Sequence, residues 1–304
     1  MESHPRDVQT WVKSWLRARY GGACEPGEKA WAMIAESVYG IQHSVWGPYK
    51  SIITRRPSID RQAVVFDGFQ PTKLGYSPET LRDAWEILTT ITGESGQCGG
   101  SKILDNSEFL LDLVTVTTQV LSNLLIDIYD RMLAAINELQ PQELSRAWKS
   151  FEWAAVSMDT LLATHPKFRL STWISDARSW ATTDEEKARL EFNARNLITL
   201  WGPNGQISDY ASRTWAGLIN TYYLERWRMW IRHVEEALVS HEAVDQGRAH
   251  REIRSFEQEW QRRTTPAAAA ADDHLDHAQP KPVWDIVAAI KAEMPMHLIP
   301  HRSN

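Results

Sequence analysis

Apolar residues recur at helical spacing along nearly all of this 304-residue chain. Strand-like alternation is confined to the short run AVVF at 63–66. A helix repeats every 3.6 residues and a strand every two, so this pattern predicts an all-α fold. We expect an irregular multi-helix array, with a long N-terminal irregular connection and a biased linker before a short C-terminal helix.

The helix bounds are predicted from apolar spacing and from capping residues. The predicted spans are about 8–20, 28–39, 78–91, 105–139, 141–165, 171–181, 184–200, 209–240 and 247–263, followed by a short helix that begins at 283. Ser77 and Thr183 are typical N-cap residues for two of them, and Pro78 suits a first helical position. Residues 40–78 show no sustained period and are predicted to be irregular.

Three units are expected along the chain. Residues 1–264 are predicted to form the helical domain, 265–282 a flexible linker, and 283–304 a short C-terminal helix and tail. The linker prediction rests on its composition, TTPAAAAADDHLDHAQPKP, which is rich in proline, alanine and aspartate.

Charge and hydropathy argue against two classes of partner. The net charge is −6 and the basic residues are scattered among acidic ones, so the electrostatic footprint that a phosphate backbone requires is absent. We expect no nucleic-acid partner. No run is judged to approach the roughly 20 apolar residues that cross a bilayer, so we expect no membrane partner.

The compartment is left open. The opening MESHPRDVQTW has no apolar region of the kind that a signal peptide needs. Cys24 and Cys98 both stand beside glycine in loop-like sequence, and no Asn-x-Ser/Thr acceptor is present. The missing acceptor favours a product that is not glycosylated.

The linker holds a group of residues that could be arranged to bind a divalent metal. Its side chains, Asp272, Asp273, His274, Asp276 and His277, are all of types that bind divalent ions. The composition favours a solvated tether over a metal site. We expect no metal and no cofactor.

Paired carboxylates for hydrolysis are the next candidate, because a retaining glycosidase needs two about 5–5.5 Å apart. The acidic residues here stand on predicted helix faces or caps beside Lys or Arg, which favours solvated helix charges. This applies to Glu185, Glu186, Glu225, Glu235 and Glu236. No nucleophile elbow, phosphate-binding glycine loop or zinc motif is present. We expect no catalytic residue in this chain.

Aromatic residues are the unusual feature of the composition, with fifteen tryptophans. Many cluster in LITLWGPNGQISDYASRTWAGLINTYYLERWRMW at 197–230. Helical spacing favours a core role for Trp215, Tyr222, Tyr223, Trp227 and Trp230.

Trp201 and Tyr210 differ because they flank the turn Pro203-Asn204-Gly205 rather than standing within a helix. A ring at the edge of a turn can stack on a sugar or pack in the core, and both roles stay open. Asp209 can cap the helix that follows while it holds the loop.

Several segments together carry a family resemblance. NARNLITLWGP, DYASRTWAGL and YYLERW are similar to the C-terminal helical domain of the α-N-acetylglucosaminidases, glycoside hydrolase family 89. The resemblance continues, in order, through WVKSWLRARYG, AWAMIAESVYG, RRPS, YSPETLRDAWEIL, QVLSNL and TWISDARSWATTDEEKARLEFNAR, and covers about residues 8–262.

The resemblance implies an activity and a division of labour. Family members remove terminal α-linked N-acetylglucosamine with retention, the animal enzymes act in the lysosome on heparan sulfate, and a small α/β domain and a (β/α)₈ barrel precede the helical domain. The two catalytic glutamates belong to the barrel, which needs about 250 residues of alternating strands and helices. Trp201, Ile207 and Tyr210 would form one wall of the sugar pocket.

The implied partners are therefore a terminal α-N-acetylglucosamine and a catalytic barrel in the same or another chain, with a second copy of this chain as a further candidate. One position departs from the family. Its usual DLVDVTRQ is DLVTVTTQ here, so Thr115 and Thr118 replace an acid and an arginine. The alternative function is a stand-alone helical scaffold or carbohydrate-binding protein without catalysis.

Overall fold

The structure is a computed structural model that describes residues 7–41, 51–62, 74–92, 98–202, 205–264 and 281–298. It is 73% helix and 2% strand, which confirms the all-α prediction. The run AVVF and the linker residues 265–280, with the candidate metal ligands, lie outside the described residues.

The observed helices follow the predicted ones closely. Within the described ranges they are α1 (Val8–Tyr20), α2 (Glu25–Ser37), α3 (Pro78–Leu88), α4 (Ser107–Asn137), α5 (Pro141–Leu162), α6 (Leu170–Ser179), α7 (Asp184–Ile198), α8 (Leu224–Ser240), α9 (Gln246–Arg262) and α10 (Val283–Glu293). Two predicted caps are confirmed. The side chain of Ser77 accepts a hydrogen bond from the amide of Thr80, and that of Thr183 accepts one from the amide of Glu186.

The helices α4 and α5 form the centre of the domain. A short connection joins them, and they pack against each other over much of their length. The buried face of α4 includes Phe109, Leu113, Leu121 and Ile128. By length and composition α4 could cross a membrane, contrary to the sequence expectation. Its most apolar window is 67% buried in the domain, as expected of a core helix.

The predicted long helix at 209–240 is wrong in its first part. Residues 200–201 (β1) and 207–208 (β2) pair as two short strands, and helical structure begins only at Leu218. Asp209, Ser212 and Gly217 all have positive φ, which an α-helix cannot contain. A π-helical turn, Ile219–Tyr223, then leads into α8.

Two long-range contacts tie the ends of the domain to its core. A disulfide joins Cys24 and Cys98, a pairing that the sequence did not indicate. At the other end, α10 buries Ile286, Val287 and Ile290 against α4 and α5. The short C-terminal helix is therefore part of the packed body.

Candidate functional site

Two short strands flank the predicted aromatic turn, of which Pro203 and Asn204 lie outside the described residues. In the antiparallel pair of β1 and β2, Trp201 is opposite Ile207. Gly202 and Gly205 both have positive φ, and the amide of Gly205 donates to the carbonyl of Gly202 at 3.1 Å. A Cβ on Gly205 would stand 3.0 Å from the Cβ of Leu200, so this turn needs glycine for space as well as for conformation.

The three predicted pocket residues lie on this hairpin or directly after it, and all are exposed. Trp201 is 39%, Ile207 46% and Tyr210 54% exposed. The rings of Trp201 and Tyr210 touch, with centroids 5.6 Å apart and planes inclined by 50°. Of the two roles left open for these rings, exposure excludes the core. Two adjoining, inclined ring faces can hold a flat, partly apolar ligand surface.

The aromatic residues further along have the opposite environment. Tyr222, Tyr223, Trp227 and Trp230 are fully buried, which confirms their predicted core role. Trp215 is half-buried and packs on Trp173 at a centroid distance of 5.8 Å.

A buried ion network underlies the hairpin. Arg226, with no exposed surface, binds the carboxylate of Asp209 at 2.6 Å and that of Glu257 at 3.0 Å. The second guanidinium nitrogen donates to the carbonyls of Thr54 at 2.8 Å and Arg55 at 3.3 Å. The predicted helix-capping role of Asp209 is therefore wrong, because its side chain binds Arg226 and no helix starts beside it.

The two carboxyl groups in this network have pKa values shifted in opposite directions. Burial opposes ionisation of Glu257, but Arg226 and Arg56 hold the pKa of its carboxyl below the usual value. Burial raises the pKa of Asp209, which shares Arg226 with Glu257. Burial lowers the pKa of Arg226, but the carboxylates of Asp209 and Glu257 raise it by more. The net direction is upward, so the arginine stays charged.

The five glutamates predicted to be solvated lie on the helix surfaces. Glu185, Glu235 and Glu236 are exposed, while Glu186 and Glu225 are half-buried and bind Thr182 and Arg228 respectively. Sequence reasoning missed the buried carboxylates, which include Glu191 as well as Glu257 and Asp209. Buried and solvated acids look alike on a helix in sequence, so no local signal separates them.

The two threonines at the family departure do not form a pair. Thr115 is exposed and its hydroxyl donates to the carbonyls of Leu111 and Asp112 in its own helix. Thr118 is half-buried. Nothing in these contacts connects either threonine to the hairpin.

The fold and the hairpin define a helical domain that presents two touching aromatic rings on a short turn. A family model described as the α-N-acetylglucosaminidase C-terminal domain matches residues 11–280. The chain belongs to this family.

Known proteins agree with that assignment. Human α-N-acetylglucosaminidase is 30% identical over 243 residues, which are 79% of this chain and 30% of the human protein. A family 89 glycoside hydrolase from Clostridium perfringens, solved with GlcNAc-α-1,4-galactose, shares the fold with a TM-score of 0.80 at 24% identity, over 96% of this chain and 32% of that one. Its complex with PUGNAc gives a TM-score of 0.81, also at 24% identity, over 98% and 32%. The chain thus spans about a third of the length of these relatives.

Proposed function

We propose that this chain forms one wall of the sugar pocket in an enzyme that removes terminal α-linked N-acetylglucosamine with retention. Trp201, Ile207 and Tyr210 are the wall residues. The observation that carries the proposal is the exposed contact between the rings of Trp201 and Tyr210 on a hairpin within the family's matched segment.

The chemistry of the wall suits this ligand. A pyranose presents C–H groups on its faces and hydroxyls at its rim, so it pairs with an aromatic ring that has a polar edge. Trp201 offers an indole N–H and Tyr210 a phenol hydroxyl beside their ring faces. Ile207, opposite Trp201 in the strand pair, adds an apolar contact suited to a methyl group.

The catalytic acids are proposed to come from a barrel domain, in the same polypeptide or another one. The carboxylate next to the wall in sequence, Asp209, is buried and bound to Arg226. A carboxylate held in this way cannot serve as nucleophile or as general acid for a sugar outside the network. The wall therefore binds and orients the ligand, and the reacting groups belong to the barrel.

The test joins this chain to the remaining domains of the Clostridium perfringens relative and measures hydrolysis of an aryl α-N-acetylglucosaminide. We expect Trp201→Ala to lower kcat/KM by about tenfold or more, because removal of one stacking ring costs about 1–3 kcal/mol where this has been measured with nucleobases. Trp180→Ala is the matched control, since Trp180 is 84% exposed and lies outside the hairpin. Equal effects of both substitutions would contradict the proposal.

The isolated chain gives a second measurement. We expect no release of the aryl alcohol above the buffer rate, because the reacting acids are proposed to belong to the barrel and Asp209, next to the wall, is buried and bound to Arg226. Turnover that disappears on substitution of an acid within this chain would refute the assignment of catalysis to a barrel. Tight binding of N-acetylglucosamine by the isolated chain would favour a carbohydrate-binding protein.

A further inference from the structure

We infer that Arg226 is a positioning residue: through Asp209 and the backbone at residues 54–55, it sets the place of the Tyr210 and Trp201 rings. The consequence for sugar binding rests on the proposed function. The consequence for the rings does not.

The guanidinium of Arg226 has partners in several segments of the chain. One terminal nitrogen of Arg226 binds both Asp209 and Glu257, and the other donates to the carbonyls of Thr54 and Arg55. These partners come from the hairpin, from α9 and from the segment 51–58. A planar guanidinium can satisfy them together, whereas the single ammonium of lysine cannot reach in two directions.

The rings beneath the guanidinium restrict it further. The central carbon of Arg226 lies 4.9 Å from the ring centroid of Tyr222 and 5.0 Å from that of Tyr223. Both rings are fully buried, so the cation–π contacts are desolvated and therefore strong. Because these buried rings pack against its guanidinium, Arg226 forms a fixed point to which other segments attach.

Arg226 also holds the backbone at Asp209. Asp209 has a φ of 55°, and its amide donates to the carbonyl of Thr199 at 2.8 Å. A left-handed conformation is unfavourable for a residue other than glycine, so it needs support from its surroundings. The ion pair with Arg226 supplies that support. Tyr210 follows directly, so the direction of its side chain depends on the conformation at Asp209.

A third contact closes the same unit. The hydroxyls of Thr54 and Ser212 are 3.1 Å apart, and Ser212 also has a positive φ of 46°. The segment at Thr54 therefore meets the hairpin twice, once through Arg226 and once through Ser212. Both ends of the residues 209–212 are thereby fixed, with Tyr210 between them.

The competing explanation is that Arg226 serves stability alone. A second buried carboxylate, outside the hairpin, provides the control that distinguishes the two explanations. Asp112 is as buried as Asp209 and binds Arg19 at 2.6 Å, but its partners belong to α1 and not to the hairpin. Asp112→Asn and Asp209→Asn each remove one buried charge. Asparagine also tolerates positive φ, so Asp209→Asn tests the ion pair rather than the backbone conformation.

The experiment uses the full 304-residue chain labelled with 5-fluorotryptophan. The ¹⁹F resonance of Trp201 is assigned with Trp201→Phe, and Tyr210→Ala gives the shift caused by loss of the neighbouring ring. We expect Asp209→Asn and Arg226→Lys to move the Trp201 resonance at least half as far as Tyr210→Ala does. We expect Asp112→Asn to lower the melting temperature but to leave the Trp201 resonance where it is.

An unchanged Trp201 resonance in folded Asp209→Asn protein would overturn the inference. If Arg226→Lys does not fold, Asp209→Asn alone decides, because it keeps the guanidinium and its other partners. A resonance that moves equally in Asp112→Asn would also overturn it, since the rings would then respond to any loss of buried charge.

The joined enzyme separates this inference from the proposed function. We expect Asp209→Asn to raise KM several-fold with a smaller change in kcat, because the wall moves while the catalytic acids stay in place. If the resonance moves but Trp201→Ala leaves turnover unchanged, the positioning role stands and the proposed function fails. If Trp201→Ala lowers turnover but Asp209→Asn leaves both the resonance and KM unchanged, the positioning role fails.

Discussion

Two groups of aromatic residues within thirty positions of one another have opposite environments. Tyr222, Tyr223, Trp227 and Trp230 have no exposed surface, whereas Trp201 and Tyr210 are about half exposed. The residue types are the same in both groups. The difference lies in the backbone, because a helix directs rings at spacings of three and four residues onto one packed face, and a hairpin end has no second layer to cover it.

The two groups are nevertheless connected by Arg226. It stacks on Tyr222 and Tyr223 in the buried group and binds Asp209 next to Tyr210 in the exposed one. The buried rings thus stabilise the domain. They also hold Arg226, through which we infer that the exposed rings are positioned. Substitutions in each group test whether the two groups differ in their contribution to stability as they differ in exposure.

The largest effect is expected for Trp227→Ala in the buried group. Trp227 packs on Tyr129 and Phe151 and donates its indole N–H to the carbonyl of Ile53 at 3.1 Å. Truncation of a buried tryptophan leaves a cavity and an unpaired carbonyl, and should lower the free energy of unfolding by about 3–5 kcal/mol. Urea denaturation measures this. A loss of less than about 1 kcal/mol would show that the site can collapse and that burial alone does not set the energy.

A loss of similar size is expected for Glu257→Gln, which removes one carboxylate from the buried network around Arg226. Breaking a buried ion pair on one side costs about 3 kcal/mol or more.

The effect of Glu257→Gln should also depend on pH. Because the pKa of Glu257 is lowered on folding, its stabilisation is present above its usual value of 4.5 and is lost as pH falls from there through the folded value. The pKa of Asp209 moves upward, so its protonation does not oppose folding in that range. Melting temperatures between pH 3 and pH 7 should therefore fall less steeply in Glu257→Gln than in the parent chain. An equally steep fall would assign the acid response to other carboxylates.

A smaller effect is expected for Gly205→Ala in the hairpin. Gly205 has a φ of 64°, and an added Cβ would stand 2.7 Å from the guanidinium of Arg254 and 3.0 Å from the Cβ of Leu200. The Arg254 side chain can move aside, but Leu200 is buried, so we expect a loss of about 1–2 kcal/mol. Chemical denaturation gives the value, with Gly22→Ala as the control because nothing lies within 4 Å of its added Cβ.

The smallest effect on stability is expected for Trp201→Ala. Its ring is exposed and contacts Tyr210, so removal should change the free energy of unfolding by less than about 1 kcal/mol. Thermal melts of the two variants, Trp201→Ala and Trp227→Ala, compare the groups directly. A loss at Trp201 as large as that at Trp227 would show that the hairpin ring is part of the core after all.

The two groups also differ in how far sequence analysis could reach. Most helices, the caps at Ser77 and Thr183, and the core role of the four buried rings were predicted, because apolar spacing and capping are local properties of the chain. The exposure of Trp201 and Tyr210 was left open, since a turn can lie over a core or beside it. The start of α8 was misplaced because the positive φ at Asp209 depends on a partner that is distant in sequence.

Sequence by itself determined that this chain folds into helices, where most of them begin and end, and which family it belongs to. Tertiary structure decided which acids are buried, that Cys24 pairs with Cys98, and that Arg226 joins the hairpin to Thr54, 172 residues away. The physical reason is the separation along the sequence between the residues that interact. A helix forms from contacts three and four residues apart, whereas a buried charge is tolerated only where the whole fold brings its partners together.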